Sequence, residues 1–370
     1  MVRFDQIAKE CRETFKGAFE GKPIVGLEHI EPYDMLLKNY DVDVETTFTK
    51  SFKKGQILFG RRRAYQHKAC VATCDGICSG DITVIEPIGG AIYPDLLPFI
   101  IQNDDFFEHA IKGSNGALSP RVKWEHMANF EVNLPSIDEQ KVLAEKLWAA
   151  YEVKQSYLKM IDATDEMVKA QFIEMFGDSP KTKIGDFCDL KARIGWQGLK
   201  HEEFLDQGDY FLVTGVDFID NRVYWDNCHY VTKERYDQDP NIQLSEGDVL
   251  ITKDGTIGKV AIVTGLTKPA TLNSGVFVIR DKQGLTINLF MYYALLSKDF
   301  ENFVNDCRTG STIAHLNQKA FVNYMFPTPP IDKQKLFVSI AQQADKSKTE
   351  LRKSIDAIDK VIKSLINKNL

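Results

Sequence analysis

Two stretches of the sequence share one pattern: Pro135-Ser136-Ile137-Asp138-Glu139-Gln140-Lys141 and Pro329-Pro330-Ile331-Asp332-Lys333-Gln334-Lys335. They lie 194 positions apart, and each leads into a long segment with helical spacing of its apolar residues. A repeat of this length predicts a chain built from two copies of one structural unit. In each copy an aspartate, Asp138 or Asp332, is of the type that caps helices, so both helices are predicted to start there.

The two long helices are predicted over residues 138–177 and 332–370. Their apolar residues alternate at spacings of four and three, which is typical of a coiled-coil seam. The seam positions, predicted to serve helix pairing or partner contact, are Leu143, Leu147, Ile161, Val168, Phe337, Leu351, Ile355, Ile358 and Ile362. A pseudo-twofold relation between the repeats would make the two helices antiparallel.

Composition excludes several classes of protein. The sequence has no run of about 18 apolar residues, so we expect no transmembrane helix and no membrane partner. Seven cysteines, an odd number in a chain of 370 residues, favour a reducing cytoplasm over a disulfide framework. The net charge of −6 gives no support for nucleic-acid binding, so any contact with DNA requires local basic patches.

Each half has the same predicted order of elements. Strand-like runs come first, then a helical segment, a Gly/Ser loop, a short strand and the long helix. The sequence therefore predicts an α+β protein, with two pseudo-twofold-related mixed α/β domains joined by two long antiparallel coiled-coil helices. The predicted segments are a first domain at 1–137, a helix at 138–177, a second domain at 178–331 and a helix at 332–370.

The densest basic run is Arg61-Arg62-Arg63, with Lys53 before it and Tyr65 after it. Arginine suits bidentate contacts with guanine or phosphate, which favours DNA binding at this run. On a strand, Arg61 and Arg63 would share one face and Arg62 would lie on the other. A solvated strand edge is the alternative interpretation.

A turn in the second half runs from Lys253 to Lys259 and contains Asp254-Gly255. Its glycines suggest a phosphate loop, but the spacing required by that motif is absent and strand-like runs flank the turn. Asp254-Gly255 is typical of a hairpin turn, and Lys253 and Lys259 are candidates for contacts with the DNA backbone.

Matched Gly/Ser loops follow the helical segment in each half, at 113–121 and 308–315. Small residues let backbone N–H groups approach a phosphate or a base edge closely. The candidate DNA-binding residues in and beside these loops are Ser114, Arg121, Lys123, Arg308, Thr309, Ser311, His315 and Asn317. A helix cap followed by a turn is the alternative interpretation.

Two other patterns are weak candidates for chemistry. The set His67, Cys70, Cys74 and Cys78 lacks the usual zinc spacing and a counterpart in the second half, so buried thiols are the better interpretation. Asp95 with Glu139 and Lys141 spells a nuclease-like pattern, but the last two residues stand at a helix start. Neither an adenine-methyltransferase tetrapeptide nor a dinucleotide-binding glycine motif is present.

Four motifs in one order make the chain resemble the specificity subunit of a type I restriction-modification enzyme. They are Gly60 to Tyr65, Asp75 to Asp81, Gly247 to Val260, and the repeated Pro-x-Ile-Asp-x-Gln-Lys. The resemblance covers nearly the whole chain. It implies two target-recognition domains that each read one part of a bipartite, asymmetric DNA target, with paired helices that set the gap.

The same resemblance implies the partners. These are double-stranded DNA, two methyltransferase subunits docked on the helices, and a restriction and translocation subunit that can join them. S-adenosylmethionine, ATP and Mg²⁺ are expected only in partner subunits, so this chain is expected to be non-catalytic, cytoplasmic and free of its own cofactor. A coiled-coil scaffold without DNA binding and a stand-alone nuclease are the alternatives.

Overall fold

The chain forms two compact units in the computed structural model. Unit 1 comprises Met1–Lys159 with Leu351–Leu370, and unit 2 comprises Met160–Glu350. The residues that the structure describes are 1–17, 20–195, 198–308 and 315–370. None of the helices in these ranges combines the length and apolar character that a membrane crossing requires.

Unit 1 combines short strands with short helices and one part of each long helix. Its strands are β1 (Val2–Arg3), β2 (Ala8–Cys11), β3 (Ile24–Val25), β4 (Lys50–Phe52), β5 (Ile57–Gly60), β6 (Ala69–Val71), β7 (Gly76–Cys78), β8 (Ile82–Pro87) and β9 (Glu131–Val132). Its helices are α1 (Phe4–Ile7), α2 (Leu97–Ile101), α3 (Asp104–Lys112), α4 (Trp124–Met127) and the start of α5 (Ile137–Phe176). Short 3-10 helices occupy Leu27–His29, Ala64–Gln66 and Pro94–Leu96.

The core of unit 1 lies between an antiparallel sheet and helices. The sheet has the order β2-β8-β5-β6, a second sheet has the order β3-β7-β4, and β1 pairs with β9. Phe59 from β5 packs with Phe106 and Phe107 from α3, and all three side chains are buried. Leu147 from α5 belongs to the same cluster, so the long helix is part of the core of this unit.

Unit 2 has the same kinds of element in the same order, with additional strands. Its strands are β10 (Lys181–Lys183), β11 (Cys188–Lys191), β12 (Tyr210–Val213), β13 (Phe218–Ile219), β14 (Arg222–Val223), β15 (His229–Val231), β16 (Val249–Thr252), β17 (Val260–Ile262), β18 (Ala270–Leu272), β19 (Val276–Asp281) and β20 (Met325–Pro327). Its helices are α6 (Ile184–Phe187), α7 (Lys233–Asp237), α8 (Asn288–Leu295), α9 (Lys298–Arg308), α10 (Gln318–Phe321) and part of α11 (Ile331–Asn369). The 3-10 helices are His201–Glu203, Gly215–Asp217, Trp225–Asn227 and Pro240–Ile242.

The main sheet of unit 2 repeats that of unit 1. It begins with the order β11-β19-β16-β17, which matches β2-β8-β5-β6, and it continues into β14 and β13. A further sheet, β15-β12-β18, packs over a separate apolar cluster. The shared four strands and the strand pair before each long helix confirm the predicted repeat. The remaining strands differ between the two units.

The long helices are antiparallel to each other within each unit. In unit 1, Lys154 Nζ lies 2.7 Å from Asp359 Oδ1, while Asn133, just before α5, donates to the Leu370 carbonyl over 3.1 Å. Residue numbers therefore rise along α5 as they fall along α11, and this confirms the predicted direction. The predicted seam is mostly inside: Leu143, Leu147, Ile161, Val168, Phe337 and Ile355 are buried, and Leu351, Ile358 and Ile362 are half-buried.

Unit 2 shows the same direction with different contacts. Lys348 Nζ lies 2.6 Å from Asp165 Oδ1, and the ring of Phe337 lies 5.3 Å from that of Phe172. The polar interruption of the seam is thus an ion pair rather than an unpaired charge. Because Lys348 is only 14% exposed, its carboxylate partners are needed to offset the loss of its hydration.

The helix starts differ from the prediction at the capping residue. The α5 helix begins at Ile137, so Ser136 is the cap. Ser136 Oγ lies 3.4 Å from the N–H of Glu139, whose carboxylate accepts the Ser136 N–H over 3.0 Å. The prediction that Asp138 and Asp332 are caps is wrong, because both lie inside helices that start one residue earlier.

The repeated glutamine fastens each long helix to its unit. Gln140 is 2% exposed; its Nε2 donates to the Pro135 carbonyl and its Oε1 accepts the Tyr93 N–H, both over 2.9 Å. Gln334 is fully buried, donates to the carbonyl of Pro329 over 2.9 Å, and accepts the N–H of Ile287 over 3.0 Å. The motif therefore repeats because its glutamine satisfies buried backbone groups in both units.

Candidate nucleic-acid interface

In unit 1 the basic run starts where a central strand ends. The β5 strand stops at Gly60, and Arg61 then donates its N–H to the Asp81 carbonyl over 2.9 Å. The Arg61 carbonyl accepts the N–H of Val122, also over 2.9 Å. Three segments distant in sequence therefore meet at this strand end. We call residues 61–63, 81 and 119–123 the unit 1 site.

Unit 2 has the same backbone arrangement at the end of β16. Lys253 donates its N–H to the Gly275 carbonyl and accepts the N–H of Leu316, each over 2.8 Å. The next residue completes the match, since the isolated bridge Asp254–His315 corresponds to Arg62–Arg121 in unit 1. We call residues 253–259, 275, 308 and 315–317 the unit 2 site.

The side chains of the unit 1 site form a cluster around one carboxylate. Arg121 Nε donates to Asp81 Oδ1 over 2.7 Å, and Arg62 lies 3.5 Å from Asp81 Oδ2. The hydrogen bond from Arg121, with the positive charges nearby, holds the pKa of the Asp81 carboxyl below its ordinary value. Arg62 Nε also donates to Ser119 Oγ over 3.0 Å, so both arginines are oriented before any ligand arrives.

The other two arginines carry unused donors. The Nε atoms of Arg61 and Arg63 are buried and have no hydrogen-bond partner. A buried guanidinium donor without an acceptor is costly. Because these Nε atoms are shielded from solvent, any contact with DNA has to come from other atoms of the two half-buried side chains. The unit 1 site contains four arginines and Lys123 but a single carboxylate, Asp81, so its formal charge is positive although the chain is acidic overall.

The structure corrects the predicted alternation of the arginine run. The strand ends at Gly60, and Arg63 has a left-handed backbone with φ of 55°. Its N–H donates to the Pro120 carbonyl over 2.8 Å, which holds it in this uncommon conformation. Arg61, Arg62 and Arg63 therefore do not alternate between two faces of a strand.

Lys53 lies apart from the other candidates of unit 1. It precedes the first residue of β5, whereas the unit 1 site follows the last, and the strand spans roughly 13 Å at about 3.3 Å per residue. Its ammonium group lies 3.4 Å from Glu13. The structure does not bring Lys53 to the arginines.

The remaining candidates of unit 1 border the site. Tyr65 is 54% exposed and stands on the 3-10 helix directly after Arg63. Lys123 is exposed and follows Val122, while Ser114 directs its hydroxyl to the Ala110 carbonyl over 2.9 Å. The Ser114 side chain thus caps the C-terminal end of α3, and only the backbone of Ser114 is available to the Gly/Ser loop that follows.

In unit 2 the predicted basic residues gather around one hairpin loop. Ile251 pairs with Val260, so the segment between β16 and β17 is a hairpin, as predicted, with a loop longer than the Asp254-Gly255 turn. Lys259 is exposed at its end, and Arg308 donates to the Ile257 carbonyl over 3.0 Å. The hairpin loop therefore contacts the last residue of α9.

The charges of the unit 2 site are more nearly balanced than those of the unit 1 site. Asp254 contacts the His315 imidazole and lies 3.1 Å from Lys253 Nζ. Asn317 is committed to a helix start, where its side-chain oxygen accepts the Lys319 N–H over 2.8 Å. Thr309 and Ser311 lie outside the described residues.

Sequence reasoning missed the groups that orient the arginines. Asp81 was visible as the last residue of the Asp75 to Asp81 motif, but its salt bridge with Arg121 joins positions 40 residues apart. Ser119 and the exposed Leu118 were passed over because nothing in their types signals a site. Asp254 stood in the predicted turn, although its pairing with His315 depends on the fold.

The patterns considered for other chemistry have structural explanations. Cys70 and Cys78 are buried free thiols on strands, as expected, whereas Cys74 is half-buried and lies between β6 and β7. The His67 ring packs between Tyr33 and Phe107. Among the described residues, no group of three His, Cys, Asp or Glu side chains is arranged to hold a metal ion.

Comparisons with known proteins agree on one family. The sequence profile of the "Type I restriction modification DNA specificity domain" matches residues 178–359. A similar protein is the type I restriction enzyme MjaVIII specificity subunit of Methanocaldococcus jannaschii. It is 23% identical over 324 residues, which are 79% of this chain and 73% of that protein.

Solved structures give the same fold. A chain from a study of complex assembly and conformational transition of a type I R-M system has a TM-score of 0.59 at 16% identity, with 100% of this chain and 96% of that chain covered. The type I restriction-modification S subunit from M. genitalium has a TM-score of 0.55 at 14% identity, with 99% and 95% covered. These likenesses confirm the predicted fold class.

Proposed function

The chain belongs to the family of type I restriction-modification specificity subunits, and on that premise we propose that each of its two sites reads one part of a split DNA sequence. Subunits of this family recognise DNA sequence together with methyltransferase partners and are not themselves catalytic. The unit 1 site reads one part of the target and the unit 2 site reads the other.

The observation that carries the proposal is the matched pair of sites. The same backbone hydrogen bonds surround Arg61 in unit 1 and Lys253 in unit 2, while the side chains around them differ. Two sites with the same backbone arrangement and different side chains are suited to recognise two different DNA sequences. The target should therefore be asymmetric, because Arg62 and Arg121 in one site stand where Asp254 and His315 stand in the other.

The residue types suggest the contacts each site makes. Arg61 and Arg63, whose side chains are half-buried at the end of β5, are of the type that makes bidentate contacts with guanine or contacts with phosphate. Lys253 and Lys259 suit the DNA backbone. Asp254 can accept a hydrogen bond from a cytosine amino group. The further candidates for DNA contact remain Lys53, Tyr65, Arg62, Ser114, Arg121, Lys123, Arg308, Thr309, Ser311, His315 and Asn317.

The assembly follows from the repeat. Residues 1–137 and 178–331 act as target-recognition domains, and residues 138–177 and 332–370 as spacer helices. Two methyltransferase subunits bind, one for each repeat, and a restriction and translocation subunit can join them. S-adenosylmethionine, ATP and Mg²⁺ belong to those partners. The complex works in the cytoplasm.

The test is to sequence modified adenines in DNA from cells that express this chain with its methyltransferase. We expect one asymmetric motif with two defined parts and a gap of constant length. Arg61→Gln combined with Arg63→Gln should abolish selectivity in one part alone, and Lys253→Gln combined with Lys259→Gln should act on the other. A single undivided motif would contradict the proposal.

Binding assays separate the proposal from its alternatives. The assembled complex should bind target DNA selectively, with an affinity that falls as salt rises. Absence of such binding would favour a protein scaffold. Mg²⁺-dependent cleavage by the chain alone, lost in Asp95→Ala, would instead establish a nuclease.

A further inference from the structure

The loop beside the arginine cluster presents a leucine to solvent. Leu118 is 93% exposed, a larger fraction than for any other large apolar side chain that the structure describes. Its neighbours Gly116, Ala117 and Ser119 are small, so the tip of the loop is narrow. Exposed single leucines are common on proteins, and Leu118 matters because of where it stands.

The loop that carries Leu118 is held in one conformation. Asn115 and Arg121 exchange backbone hydrogen bonds of 3.0 and 2.9 Å, which close the five residues between them. Gly116 has φ of 119°, a conformation that side chains rarely adopt, and Pro120 has a fixed φ. The leucine therefore projects from a closed loop rather than from a free chain.

The same loop is fastened to the cations. The Pro120 carbonyl accepts the Arg63 N–H over 2.8 Å, and Ser119 Oγ accepts from Arg62 Nε over 3.0 Å. Arg121 closes the loop and is itself held by Asp81. An apolar tip braced by arginines fits DNA, because the arginines can hold phosphates on either side while the leucine meets the bases.

We propose that Leu118 inserts as a wedge between two stacked base pairs of the DNA read by unit 1. The inference rests on the proposed function, since it concerns how that site holds its DNA. Proteins that insert leucine or a similar side chain between base pairs unstack one step and bend the duplex. The wedge would thereby make recognition depend on how easily that step deforms, in addition to direct base contacts.

The test uses the chain assembled with its methyltransferase and duplexes that carry the mapped target. The fluorescent base 2-aminopurine replaces one base at a time in the part read by unit 1. We expect fluorescence to rise at one base step with the wild-type complex and to stay low with Leu118→Ala. Leu118→Phe, which keeps an apolar wedge, should restore the signal. Positions of modified adenines are left out, because methyltransferases turn those bases out of the stack.

Affinity gives a second readout. Leu118→Ala should weaken target binding about tenfold, which is ~1.4 kcal/mol, with little change in binding to unrelated DNA. The control is Leu285→Ala, which removes the same atoms from a leucine 39% exposed in unit 2. Because Leu118 has almost no contact with the protein, the substitution should leave folding intact.

Three results would overturn the wedge. The first is that the wild-type complex binds its target without a fluorescence change at any base step. The second is that Leu118→Ala binds the target with unchanged affinity. The third is that replacing one thymine of the target by deoxyuridine lowers the affinity as much as Leu118→Ala does. The last would assign Leu118 to a thymine methyl group instead. Failure of the wild-type complex to bind its target would contradict the proposed function itself and is thus distinguishable.

Discussion

At the scale of single residues, Asp81 determines how many arginine donors of the unit 1 site are already occupied within the protein. It binds Arg121 through two hydrogen bonds of 2.7 and 3.2 Å and draws in Arg62. Under the proposed function, this carboxylate competes with DNA phosphates for the same donors. We therefore expect it to limit binding to arbitrary sequences while it keeps the arginines in place for the target.

Replacing Asp81 by asparagine should release that restraint. The amide keeps the size of the side chain but loses the charge, so Arg62 and Arg121 become available to phosphates. We expect tighter binding to unrelated DNA and a steeper salt dependence, by about 0.9 in the log–log slope for each added phosphate contact. Discrimination for the target should fall. Asp75→Asn, in the same motif but outside the site, is the control and should leave the slope unchanged.

The contacts of Glu86 predict that unit 1 loses stability at acid pH. Its hydrogen bond from Lys9, on the paired strand, and a second from Gln56 lower the pKa of Glu86 to about 2. Because the pKa is lower in the folded state, ionised Glu86 stabilises the fold at any pH above its ordinary pKa of 4.5. This stabilisation is lost as the pH falls from that value toward about 2.

The measurement is the melting temperature of wild type and Glu86→Gln across that range. The variant should be less stable near neutral pH, and its deficit should shrink as the wild type protonates. Glu152→Gln, an exposed change on α5, serves as the reference. A deficit that stayed constant down to pH 2 would show that Glu86 does not titrate as the geometry requires.

At the scale of elements, the buried glutamine of the repeated motif attaches each long helix to its unit. Gln334 serves the N–H of Ile287 and the carbonyls of Leu285 and Pro329. Gln334→Leu would remove the hydrogen-bond partner of these three groups, of which the Pro329 carbonyl is buried and the other two are partly buried. Because each unsatisfied group costs about 1–3 kcal/mol, we expect a loss of about 3 kcal/mol after partial relaxation. Urea unfolding measures it, and the exposed Lys333→Leu beside it should change stability by less than about 0.5 kcal/mol.

The sequence was most informative where local pattern and structure coincide. The long helices, their antiparallel direction and the central strands could be predicted because apolar spacing and the repeat encode them directly. The capping residue was mistaken because both Ser136 and Asp138 can cap, and the reciprocal bonds with Glu139 favour the first. The site was only partly predictable, since Arg63 takes its conformation from Pro120, far along the chain.

At the scale of the whole molecule, the two halves share a frame of backbone hydrogen bonds around the end of a central strand. Arg61 and Lys253 match through backbone hydrogen bonds to equivalent residues of their own units. Backbone geometry is retained there while side chains vary, as expected if the frame presents whatever residues a given DNA sequence requires. The acidic net charge is compatible with this, because only the local charge of each site meets DNA.

The final prediction concerns the gap between the two parts of the target. The units divide within each long helix, at Lys159 and at Glu350. Inserting four helix-forming residues at both points adds about 6 Å, at 1.5 Å per residue, which is close to two base pairs at roughly 3.4 Å each. We expect methylation mapping to show both parts of the motif unchanged and a gap longer by about two base pairs. Inserting the same residues at 283–284, in a loop of unit 2, should leave the gap as it was. An unaltered gap after the helix insertions would mean that something other than these helices sets the spacing.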